Sequence, residues 1–223
     1  MPAQLPLFLD VPPPGPARPA LQPVPLEPWA DPWPRAPEGD GAALLHSLFF
    51  ALAPAPDDAR RLRAEGLALD ARFAIGGAPL ESHRLHVSLF GVGAYLRTRP
   101  EADVERWRRA AAAVGCAAFE VVFDRIATFG GAGRSLVLKA ADESALAGLQ
   151  ALYESLGIAL ANAGEHVTQR RITPHMSLSY HGRPMPETAI EPVRWRAHEL
   201  VLIDSHIGLH HHEVLGRWRL QDG

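Results

Sequence analysis

The 223-residue chain predicts an α+β fold of two lobes, with antiparallel sheets lining a central groove and helices outside. Two observations carry that expectation. The segment Arg84-Leu-His86-Val-Ser88-Leu-Phe90 has a counterpart in Arg171-Ile-Thr-Pro-His175-Met-Ser177-Leu-Ser-Tyr180. The surrounding pattern also runs strand–helix–strand–helix–strand–strand–helix–strand–strand–strand, a rough internal duplication with one His-x-Ser strand in each half. Strand side chains alternate faces, so His and Ser at i and i+2 point to one side, while Val87, Leu89, Met176 and Leu178 point to the other. A groove between two such strands holds two imidazoles to move protons and two hydroxyls to hold oxygens. That composition suits a phosphate ester.

Residues 1–41 contain 13 of the 21 prolines and read as an extended or disordered tail, since proline at this density supports neither a helix nor a central strand. The domain then spans 42–223. Ala42 to Leu52 is a buried strand, and Pro54 and Pro56 end it. Asp57 is placed to cap a helix to about Phe73. Gly76-Gly77 breaks the chain before the first His-x-Ser strand, and Gly91-Val-Gly93 reads as a turn. A helix from Glu101 to about Val114 carries Val104, Trp107 and Ala111 on one face. Phe119–Phe129 is a strand, Gly130–Gly133 a turn, and Ser135–Lys139 its hairpin partner. Asp142 caps a third helix to about Ala163, with Leu146, Leu149, Leu152 and Leu156 on one face. The second His-x-Ser strand covers 174–180, and two more strands lie near Trp195–Asp204 and His212–Leu220.

Composition bounds the function. A 47% hydrophobic and 21% charged chain is globular rather than wholly disordered. The net charge of −3 supplies no basic field for long nucleic acid, but leaves a small or terminal nucleotide open. Cys116 is the single cysteine, which fits a reducing cytoplasm and reads as a packed, inert thiol. No apolar run approaches a membrane span, and no secretory signal opens the chain.

The series Phe49-Phe-Ala-Leu, His86-Val-Ser-Leu, Phe129-Gly, Thr173-Pro-His-Met-Ser-Leu and Trp218-Arg-Leu resembles the 2H phosphoesterase superfamily over about residues 44–220. Within it the chain is similar to the LigT-like group of 2′-5′ RNA ligases and RNA 2′,3′-cyclic phosphodiesterases. That resemblance implies metal-independent hydrolysis of 2′,3′-cyclic phosphates, with reverse 2′-5′ ligation available to the same site. It implies His86 as proton donor, His175 as proton acceptor, and Ser88 and Ser177 as donors to the non-bridging oxygens. The family carries threonine where this chain has its two serines, which keeps the hydroxyl and drops a methyl. No cofactor and no metal are implied. The expected partners are RNA ends or small cyclic-phosphate nucleotides, met by a cytoplasmic monomer.

Around these residues, Arg171 can clamp a phosphate or serve as a solvated surface arginine. Phe129 and Tyr180 can stack on a base, although core packing is the simpler role for both. His206, His210, His211 and His212 with Glu213 form a second cluster. Consecutive strand histidines alternate faces and cannot all ligate one ion, so the cluster reads as a polar loop entering the last strand. Two further functions stay open: a non-catalytic RNA- or phosphate-binding module, and an enzyme for another cyclic phosphodiester such as an ADP-ribose cyclic phosphate.

Overall fold

The computed structural model describes residues 22–23, 45–129, 134–142, 146–165 and 173–221. The proline-rich segment lies outside them except for a two-residue strand, β1 (Gln22–Pro23). Strand β2 (Leu45–Leu52) leads to helix α1 (Pro56–Phe73), short strand β3 (Ala78–Pro79), a 3-10 turn at Ser82–Arg84, and β4 (Val87–Leu96). Helix α2 (Glu101–Ala112) precedes the hairpin of β5 (Phe119–Phe129) and β6 (Ser135–Lys139). Helix α3 (Ala147–Asn162), β7 (His175–Tyr180), β8 (Thr188–Ala197), β9 (Glu199–His206) and β10 (His211–Arg219) follow.

The described strands join one antiparallel sheet in the order β1-β10-β9-β2-β4-β7-β6-β5-β8, with β3 added beside β7. The expected two lobes are the two halves of this sheet, β10-β9-β2-β4 and β7-β6-β5-β8. The halves meet at a seam where β4 and β7 share one residue pair, Val87 with Met176. Both side chains are fully buried in the main core, which fills one face of the sheet and is closed by α1, α2 and α3. Leu48, Phe50 and Leu52 of β2 and Leu200 and Leu202 of β9 point into it. The alternate residues Phe49, Ala51, Val201 and Ile203 form a smaller cluster on the opposite face. Among the described residues, strand alternation thus gives one helix-covered face and one helix-free face.

Several local expectations are corrected. Gly91–Gly93 is not a turn but lies inside β4, where Gly93 pairs with Leu48. A Cβ on Gly93 would sit 3.1 Å from the Trp107 ring, so the glycine makes room for α2 to pack. The strand placed at Trp195–Asp204 is two strands, β8 and β9, broken at His198. Strand β8 begins earlier than expected, because Pro192 is tolerated on an edge strand beside a register shift. Asp142 does not cap α3, whose N-cap is Leu146. Ala55 is the N-cap of α1, with Pro56 in the first turn, so Asp57 is a first-turn acid facing the positive end of the helix dipole. The Gly130–Gly133 turn and the expected start of the first strand at residues 42–44 lie outside the described residues.

Candidate active site at the seam

The seam collects the two His-x-Ser motifs. His86 and Ser88 flank Val87, and His175 and Ser177 flank Met176, its partner across the seam. Antiparallel register therefore turns His86 toward Ser177 and Ser88 toward His175, all on the helix-free face. Ser88 is exposed, and the other three are part-buried.

The two histidines are held in the same way. His86 Nδ1 lies 2.7 Å from the carbonyl oxygen of Arg84, and His175 Nδ1 lies 2.8 Å from that of Thr173. In each case the carbonyl belongs to the residue two before the histidine. A carbonyl only accepts, so each Nδ1 carries the proton and each Nε2 keeps its lone pair when the ring is neutral. Each imidazole also has a phenylalanine beside it. The Phe49 and His86 ring centroids are 5.2 Å apart, and those of Phe129 and His175 are 5.1 Å apart. Phe49 belongs to β2 and Phe129 to β5, so this correspondence spans both halves of the sheet.

The surroundings of the two rings differ. His212 stands 5.4 Å from the His86 ring in an edge-on arrangement. Burial pushes His86 down to about 4, and the positive charges of Arg84 and of a protonated His175 push the same way. The Arg84 carbonyl bond opposes this shift and is outweighed. Burial also lowers the Arg84 guanidinium, against an opposing contribution from Tyr180. Beside His175, Lys139 of β6 sits at the directly paired position and reaches the Glu187 carboxylate. Ser135 Oγ donates to Ser177 Oγ at 2.7 Å, leaving the Ser177 hydroxyl hydrogen available to an oxygen above it. A pocket beside His86, about 340 Å³ including its open mouth, is lined by Pro54, His83, Leu85, Val201 and His212 among others.

Of the residues singled out from sequence, His86, His175, Ser88, Ser177, Phe129 and Tyr180 converge on this face. Phe129 packs edge-on against His175, and part-buried Tyr180 sits at the position paired with Ser135. Arg171 lies outside the described residues. Four neighbours of the motifs carry no site role in the sequence pattern alone. Arg84 and Phe49 stood in the quoted motifs, where their types alone did not separate site from core. Ser135 and Lys139 become neighbours only through the β6–β7 register.

The second histidine cluster is not a polar loop. His206 and His211 are buried at facing positions in β9 and β10, His212 is buried on the opposite face, and only His210 lies in the turn. The expected alternation of faces holds for the strand histidines, and among them it sends His212 to the seam side.

The sequence model described as the 2′-5′ RNA ligase superfamily matches residues 52–208, which include both motifs. No curated protein sequence matches the chain. Among solved structures, apo LigT of E. coli is 19% identical, with a TM-score of 0.59 over 81% of this chain and 100% of that one. TT0787 of Thermus thermophilus is 22% identical, with a TM-score of 0.56 over 79% and 98%. The E. coli LigT structure complexed with 3′-AMP is 20% identical, with a TM-score of 0.55 over 79% and 98%. These similarities establish the shared fold, and no described helix is long and apolar enough to cross a membrane. With a family match over more than half its length and both motifs inside it, the chain belongs to the 2′-5′ RNA ligase superfamily, the 2H phosphoesterases.

Proposed function

We propose that this chain hydrolyses 2′,3′-cyclic phosphates on RNA ends or small nucleotides to 2′-phosphomonoesters, by acid–base catalysis between His86 and His175. The observation that carries this is the matched pair of Nδ1-to-carbonyl bonds, at Arg84 and Thr173, which leaves both Nε2 atoms for proton transfer. His175 Nε2 takes a proton from the water attacking phosphorus. The bond from phosphorus to the 3′ oxygen breaks, and His86 gives that oxygen its proton. Ser88 and Ser177 donate to the non-bridging oxygens as charge builds on them. With a 5′ hydroxyl attacking in place of water, the same steps form a 2′-5′ linkage.

The ligand of one structural relative supports a nucleotide-sized occupant, since E. coli LigT has been solved complexed with 3′-AMP. The test is turnover of 2′,3′-cyclic nucleotides, of a short RNA ending in a cyclic phosphate, and of ADP-ribose cyclic phosphate, with and without chelator. Formation of 2′-phosphate that falls roughly 10²- to 10⁴-fold in both His86→Ala and His175→Ala is expected. Absent turnover, with tight binding that survives both substitutions, would leave a binding module and overturn the proposal. Turnover confined to the ADP-ribose ester would keep the chemistry and correct the substrate.

A further inference from the structure

A second cluster of chemically capable side chains lies on the other face of the sheet. His46 opens β2 on the face that carries Leu48 and Phe50 into the core. Its register partner in β9 is His206, and Leu48 is partnered by Asp204. On β10, His211 pairs with His206 and Glu213 with Asp204. Three adjacent strands thus deliver three imidazoles and two carboxylates to one end of the helix-covered face. None belongs to the seam, which lies on the opposite face.

The geometry points to a binding site for a divalent transition-metal ion of the zinc class, held by His46, Asp204, His206 and Glu213. His46 Nδ1 lies 3.3 Å from Asp204 Oδ2, and His206 Nε2 lies 3.8 Å from both Asp204 Oδ2 and Glu213 Oε2. Tetrahedral zinc with bonds of about 2.1 Å places neighbouring donor atoms roughly 3.4 Å apart, so these separations bracket the requirement. His46, Asp204 and His206 offer donor atoms all within 4.8 Å of one another. The independent sign is His206 itself. It is 7% exposed, and neither of its ring nitrogens has a hydrogen-bond partner among the described residues, although its Nε2 faces both carboxylates. A buried imidazole is seldom left unsatisfied on both nitrogens, and an ion between it and the carboxylates would satisfy one. Mixed imidazole and carboxylate donors select zinc-like ions over calcium or magnesium.

Arg99 is the competing cation. Its guanidinium reaches Glu213 closely and lies 3.4 Å from Asp204 Oδ2, while the Tyr95 hydroxyl donates to the same oxygen. Arg99 is part-exposed and can swing outward, so metal and arginine exclude each other between the two carboxylates. The site joins β2, β9 and β10, and its role is to tie that end of the sheet. The experiment is titration of the purified full chain with zinc by calorimetry and with cobalt(II) by visible absorption. One equivalent should bind, with cobalt bands of a low-coordinate site and a raised Tm on zinc addition. His206→Gln and His46→Gln should each weaken binding more than about tenfold, the least that even an outer-shell loss costs. His212→Gln, on the opposite face, should leave it unchanged, and Arg99→Gln should tighten it. A folded wild-type chain that takes up no zinc overturns the proposal. So does binding that survives His206→Gln or that is lost instead in His212→Gln.

Discussion

His86 and His175 share a backbone bond but not an environment, and that difference has a measurable consequence. The groups facing His86 are Phe49, His212, Arg84 with its carbonyl, and the His175 ring. None of these is an anion, so with the seam empty the ring is held neutral at neutral pH. A phosphate anion arriving at the seam supplies the missing negative charge and favours the imidazolium. Binding should therefore take up a proton, and affinity should rise as pH falls below neutrality. A thymidine dinucleotide tests this, because its phosphodiester keeps one charge between about pH 8 and 5. Its dissociation constant should fall over that span, and the His86→Gln chain should respond less steeply. Equal slopes would sink the idea that His86 receives its proton with the phosphate. A second outcome rests on Ser177, whose oxygen already accepts from Ser135. Ser177→Ala should lower kcat by about 10²-fold or less, below the loss at either histidine. Ser135→Ala should cost less again, by letting the Ser177 hydroxyl turn, and Ser177→Thr should retain activity. Steady-state kinetics on one cyclic nucleotide would rank all three.

At the scale of elements, what the chain spells locally was legible and what it spells across distance was not. Alternation in the two motifs placed His86, Ser88, His175 and Ser177 on one face, because the period of a strand is written in consecutive residues. The same alternation separated His212 from His211. It could not supply His46, which reaches His206 only through the β2–β9 register. Glycine and proline misled where their role was tertiary. Gly93 answers to Trp107 of α2, and Pro192 to the place of β8 at the edge of the described strands. Gly148 gives a direct test of such packing. It lies in the first turn of α3, where an added Cβ would meet Phe119 Cγ of β5 at 2.4 Å. Alanine favours a helix over glycine by roughly 1 kcal/mol, so propensity alone forecasts a gain. The clash should win, because a contact that close forces the helix or the ring to move, at roughly 1–3 kcal/mol. Gly148→Ala should unfold at lower denaturant than the wild type. A midpoint at or above the wild-type value would show that α3 shifts on β5 without penalty.

The whole molecule is a sheet used on both sides, with the core and the His46–Asp204–His206 cluster on the helix-covered face and the two His-x-Ser motifs on the other. Near-neutral charge fits a small or terminal substrate, since the chain has no broad positive field and its cations at the seam are local, Arg84 and Lys139. Placing imidazoles in partly buried positions around a seam also couples folding to pH. Both His86 and His83 are lowered from the ordinary histidine value, by burial first and by the Arg84 charge as well. The unfolded chain then binds protons that the folded chain refuses, between an unfolded value of about 6.5 and the folded value of about 4 for His86. Stability from this source is complete above the unfolded value and is lost as pH falls toward the folded one. Carboxylates that titrate near 4 act at the lower end of that window, so the upper part, from about pH 6.5 to 5, isolates the histidines. Tm should fall across that interval in the wild type and fall less in His86→Gln. That variant loses the Arg84 carbonyl bond and can start from a lower Tm, so the slope against pH is the diagnostic quantity. Parallel wild-type and variant slopes would mean that His86 is solvated well enough in the folded chain to keep its ordinary proton, and the burial argument at the seam would fail.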